Sequence, residues 1–131
     1  MELAELLALR VPAGALGLDE ARYQAVLTMA VTRAESAAAS VNDAEKKAQA
    51  VEAHTLAFLF QMEAERWRRA LSGSGPDGSV SVTEISTRMG AAEKARDAQM
   101  ALFETIVPPV VVVTPAGATR ASGSVRITFE G

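Results

Sequence analysis

His54 is the single histidine of the chain and the first residue to test for chemistry. A general base needs an orienting carboxylate within reach. Glu52 sits two positions away, an offset that places it on another side of a helix. Glu63 and Glu65 do not stand at the i, i+4 spacing of a helical zinc pair. His54 therefore reads as a surface or satisfied core histidine, with no catalytic residue and no metal site implied. Ser72-Gly73-Ser74-Gly75-Pro76-Asp77-Gly78-Ser79 has the glycine content of a phosphate-cradling loop. It lacks the Gly-Lys-Ser/Thr ending that places a lysine on phosphate. It also lacks the acidic ladder and closing Glu of a calcium loop. A connector with an Asp-Gly turn is the simpler reading. No cofactor is implied.

The most charged segment is Glu63-Ala64-Glu65-Arg66-Trp67-Arg68-Arg69. Glu65 and Arg69 are i, i+4 partners on a helix, and cations complement a helix C-terminus. A solvated helix end explains that pattern. If this end instead meets a partner, Arg66, Trp67 and Arg69 are its anchors, because Trp and Arg dominate interface hot spots.

Elements must carry these residues. Glu2–Arg10 reads as a short helix, with Leu3, Leu6 and Leu7 at helical spacing. Pro12, Gly14 and Gly17 break it. Asp19 is the expected cap of a second helix running to about Ser40. Its stripe is Tyr23, Val26, Leu27, Ala30, Val31, Ala34 and Ala38. Asn42 and Glu45 have the spacing of a capping box for a third helix to Leu71. Val51, Thr55, Phe58, Leu59 and Met62, widened by Leu56, Phe60 and Trp67, predict nearly all-round burial of its middle turns. After the flexible loop 72–79, Ser79–Ile85 begins with period-two alternation, as a short strand does. A last helix is expected from about Ser86 to Ile106, with Met89, Ala92, Ala95, Gln99, Leu102, Phe103 and Ile106 inward. Gly90 weakens it.

The end of the chain changes character. Pro108 and Pro109 bar Val110, Val111, Val112 and Val113 from continuing the helix. Four successive β-branched residues favour extended chain. Val125, Ile127 and Phe129 alternate with Arg126, Thr128 and Glu130 in the manner of a half-buried strand. The reading is mainly α: a helical bundle of about four helices over 1–106, with a C-terminal β-strand or hairpin arm over 107–131. Such an arm cannot form a core alone. It either folds back or pairs with a partner strand by β-augmentation, and a bare valine edge invites aggregation. Its partner-facing residues are Val110–Val113, Val125, Ile127 and Phe129.

Composition narrows the classes further. The chain has 131 residues, enough for one core, and 49% of them are apolar. Thirteen basic against sixteen acidic residues leave a net charge of −3, which provides no general drive toward nucleic acid. Cysteine is absent, excluding disulfides and thiolate metal sites. Met1-Glu2-Leu3-Ala4-Glu5 lacks the basic start of a signal peptide, and no run is long enough for a membrane span.

The order of parts resembles a family. A short helix and two longer ones precede Ser72–Thr83, then the helix containing Met89-Gly90-Ala91-Ala92-Glu93-Lys94-Ala95, then a mixed β tail. This layout is similar to that of the small head–tail connector, or adaptor, proteins of tailed bacteriophages and gene transfer agents. The resemblance implies a non-enzymatic virion structural protein, made in the host cytoplasm and located in the neck. It implies a ring oligomer, commonly of twelve copies, bound under the portal protein. The ring extends the DNA channel and presents a surface to a stopper or tail-completion protein. It implies DNA passing without sequence-specific binding, which a net negative wall favours. The Val110–Thr114 and Val125–Phe129 segments would reach the portal. The alternative is a small cytoplasmic helical module for protein–protein interaction.

Overall fold

A computed structural model of the chain describes residues 2–72 and 82–108. These form five helices: α1 (Leu3–Arg10), α2 (Ala13–Leu16), α3 (Glu20–Ala37), α4 (Ala44–Ser72) and α5 (Val82–Ile106). The chain is mainly helical, as its alanine content and apolar spacing dictate. All of the expected arm beyond Pro108 lies outside the described residues, as do 73–81 of the loop region.

α4 is the axis of the bundle. Eleven positions from Ala50 to Phe60 include eight buried ones, leaving only Glu52, His54 and Phe58 partly open. That is the all-round burial its sequence predicts, and it follows from having neighbours on several sides. α5 packs along α4, α3 packs on another side, and α1 and α2 add smaller contacts. Side-chain partners fix the direction of α5. Arg68 meets Glu93, Gln61 meets Arg96, and His54 meets Phe103, so one number falls as the other rises. The two helices are antiparallel.

Two apolar clusters fill the interior. The first joins Leu7, Val11, Leu16, Tyr23, Leu27, Leu56, Leu59 and Phe60. The second joins Ala34, Ala38, Ala50, Val51, Ala53 and Phe103, with Leu3, Ile106 and Val107 against it. In the second, small side chains from α3 and α4 meet the ring of Phe103 from α5. Thr55 is fully buried, and its hydroxyl donates to the Val51 carbonyl at 2.7 Å, so no polar group is stranded there.

Helix ends follow local chemistry. Asp19 accepts from the Arg22 amide at 2.8 Å and caps α3. At α4 the cap is Asp43, not Asn42. Asp43 accepts from the Glu45 and Lys46 amides at 2.9 and 3.0 Å, one residue later than the box spacing suggests. The Pro12–Gly17 segment is not a simple break. Pro12 serves as N-cap to the single turn α2, and Gly17 ends it with φ 70°.

The strand expected at Ser79–Ile85 is corrected over Val82–Ile85, which belong to α5. Ile85 is fully buried while Val82 is 64% exposed. Ile85, Met89 and Ala92 stand at helical spacing and face inward, and Glu84 pairs with Arg88 across one turn at 2.7 Å. Those i, i+4 terms outweigh a two-residue alternation. Leu102 is also corrected: it is 54% exposed, whereas Phe103 turns into the second cluster.

Candidate functional site

Three places on the bundle hold residues of chemical interest. The first is the far end of α4. Trp67 is buried, with the Arg66 guanidinium 4.6 Å and the Arg88 guanidinium 5.3 Å from its ring centroid. Arg66 also donates to the Gly14 and Ala15 carbonyls at 3.1 and 2.9 Å. Both belong to the one-turn α2; the Gly14 carbonyl accepts in addition from the Gly17 amide at 3.2 Å. Arg68 pairs with Glu93 at 2.6 Å. Arg66 and Trp67, expected as partner anchors, are therefore engaged inside the bundle. They tie α4 to α2 and α5. Arg69 is exposed and makes no ion pair among the described residues. Glu65 accepts instead from the Gln61 side-chain amide at 2.7 Å. The sequence could not show this, because the carbonyls that claim Arg66 lie more than fifty residues away.

The second place is the α4–α5 seam around His54. The imidazole meets Phe103 edge-to-face, with centroids 4.9 Å apart. Ala57, Phe58, Gln61, Arg96 and Met100 line the adjoining cleft. Burial pushes the histidine below its ordinary pKa. Its Nδ1 is buried without a hydrogen-bond partner among the described residues, so His54, expected at the surface or as a satisfied core histidine, is half-buried with one nitrogen unpaired there. No carboxylate among the described residues orients it. Glu52 lines clefts on other faces of α4, and Glu63 is nine positions on, about 13 Å along the helix. No cluster of three or more metal-ligating side chains occurs among the described residues. Among the described residues no nucleophile–base pair stands in the seam.

The third place is the root of the tail and the grooves beside it. The Val107 amide donates to the Phe103 carbonyl at 2.8 Å, and Ile106 and Val107 both pack on the second cluster. The point from which the tail departs is therefore fixed to the body. Beside it lies a cleft lined by Gln49, Glu52, Ala53, Gln99, Leu102 and Ile106. Across Glu52 lies a larger groove of about 500 Å³ between α1, α3 and α4. Leu3, Leu6, Ala44, Ala48 and Val51 make its wall mostly apolar, and Glu35, Lys47 and Glu52 also line it. Sequence reasoning missed this groove. Leu3 and Leu6 are visible there as one side of a helix, but what they leave uncovered depends on where α1 lands.

Val110, Val111, Val112, Val113, Val125, Ile127 and Phe129, the expected contacts of the arm, lie outside the described residues. No described helix is long and apolar enough to cross a membrane. No protein-family model, curated protein or solved structure matches the chain significantly.

Proposed function

We propose that the chain is a structural adaptor of the head–tail connector type, acting through its tail rather than through a catalytic site. It works as a ring of copies in the neck of a phage-like particle, beneath the portal protein and above a stopper or tail-completion protein. The observation that carries this reading is the anchored root of the tail. Ile106 and Val107 are held on the core, and Val110–Val113 follow after Pro108 and Pro109. A connector needs this combination: a stiff body, and an apolar segment launched from a defined point. Weak single contacts of such a segment add up strongly when many copies meet one symmetric partner. Exposed Arg69 is an additional contact toward an acidic partner surface. Arg66 and Trp67 hold the body together behind it.

The test is solution mass by light scattering, with the full chain alone and with purified portal rings of tailed phages. The expected outcome is a large mass increase on adding portal. A chain cut after Pro108 keeps its helical signal and loses the increase. The cut falls there because Val107 packs on the core. Undiminished joining by the truncated chain, or no joining of the full chain to any portal, defeats the proposal.

A further inference from the structure

We propose that the groove between α1, α3 and α4 is the docking site of the chain's own Val110–Val113 run. The inference concerns the free chain, and it stands or falls apart from the connector reading.

Position is the first argument. Ile106, the last residue of α5, lines the cleft on one side of Glu52. The groove of Leu3, Leu6, Ala48 and Val51 lies on the other side of the same Glu52. The tail has a single helix ridge to cross. Leu3, Val51 and Val107 also belong to one apolar cluster, so the root of the tail and the wall of the groove share a core. Length is the second argument. An extended chain advances at most about 3.3–3.6 Å per residue, so Pro108–Val113 spans roughly 20 Å. A helix with its side chains is about 10–12 Å wide. The valine run therefore reaches the groove without drawing α5 apart.

Chemistry is the third argument. From Thr105 to Thr119 the sequence has no charged residue. A segment of that kind loses little by leaving water, and the groove's apolar wall gains by being covered. In an extended chain alternate valines point the same way, so two of the four face the groove while the others stay outward. The fixed φ of Pro108 and Pro109 restricts the free tail and lowers the entropy lost on docking. Docking also covers a valine edge that would otherwise pair with other chains.

The absence of cysteine makes the test direct. Ala48 is exposed on the helical wall of the groove, so Ala48→Cys leaves the core alone. The full chain carrying Ala48→Cys with either Val111→Cys or Val112→Cys is oxidised at low concentration. A control chain carries Ala25→Cys with Val111→Cys, Ala25 being exposed on α3 and outside the groove. Circular dichroism confirms that each variant keeps its helices. The expected result is an intramolecular disulfide, seen as a compact monomer on a non-reducing gel, in at least one groove pair and at least tenfold faster than in the control. Disulfide-linked dimers in place of monomers assign the groove to a second copy's tail and overturn the proposal. Equal rates in groove and control pairs overturn it as well.

Discussion

Removing one hydroxyl tests how α1 and α2 are held to the rest. Tyr23 is 2% exposed, and its phenol donates to the carbonyl of Val11, which is itself fully buried. This bond spans twelve residues and ties α3 to the link between α1 and α2. Tyr23→Phe keeps the ring and its packing but leaves the Val11 carbonyl without that donor. A buried acceptor deprived of its partner costs about 1–2 kcal/mol. For a domain near one hundred residues that lowers the melting temperature by roughly 5–12 °C. Tyr23→Ala removes the ring as well and is expected to cost about 3–5 kcal/mol. Urea denaturation followed by circular dichroism measures both. Titration provides a second readout on the same atom. Burial, and secondarily the Glu20 carboxylate, push the phenol above its ordinary pKa of 10.0. The unfolded chain therefore releases this proton first as pH rises, and stability falls above pH 10. Tyr23→Phe removes that part of the alkaline decline. Phenolate absorbance reports on this residue alone, because the chain has one tyrosine. A Tyr23→Phe chain within about 0.3 kcal/mol of the parent would refute the argument, since a net hydrogen bond is worth at least about 0.5 kcal/mol.

Further expectations concern two glycines and the lone histidine. Gly17 has φ +70°, and a β-carbon there would stand 3.1 Å from Arg66 Nε. Gly17→Ala is expected to cost about 1–2 kcal/mol through left-handed backbone strain, while Gly90→Ala, with open space around it, should stabilise α5 by about 0.5–1 kcal/mol. Opposite signs in denaturation midpoints check the pair; like signs would show that backbone conformation is not the cause. The His54 pKa is lowered by burial, so the unfolded chain binds a proton first as pH falls below the ordinary 6.5. Stability should then decline from that point until the folded histidine also protonates. His54→Gln should flatten the difference between pH 7.5 and pH 5.5 in denaturation curves, and an unchanged difference would locate the acid sensitivity elsewhere.

Much of the body is legible in one dimension because helices repeat locally. The α3 stripe of Tyr23, Leu27, Ala30, Ala34 and Ala38 is buried as its 3.6-residue spacing requires. The all-round apolar middle of α4 declares a central helix before any neighbour is known. The end of α5 at Ile106 follows from the proline pair two residues on. Where local signals competed, the stronger local bond won. Val82–Ile85 entered a helix because Ile85 and Ala92 share a buried face and Glu84 reaches Arg88. Asp43 displaced Asn42 as cap because its carboxylate stands where the second and third helical amides point.

The candidate sites divide along the same line. One dimension sufficed for a mainly helical chain, cysteine-free, with one histidine, a mild negative charge and an uncharged stretch from Thr105 to Thr119 that carries the valine run. These are properties of composition and of contacts within a few residues. Tertiary packing alone decided that Arg66 serves the Gly14 and Ala15 carbonyls, that the Arg66 and Arg88 guanidinium groups stand over the Trp67 ring, and that His54 lies in a seam with Phe103. It also decided that α1 lands so as to leave a groove across Glu52 from the root of the tail. Each of those facts joins residues tens of positions apart. Helical periodicity says which face is apolar; it does not say how much of that face a neighbour covers.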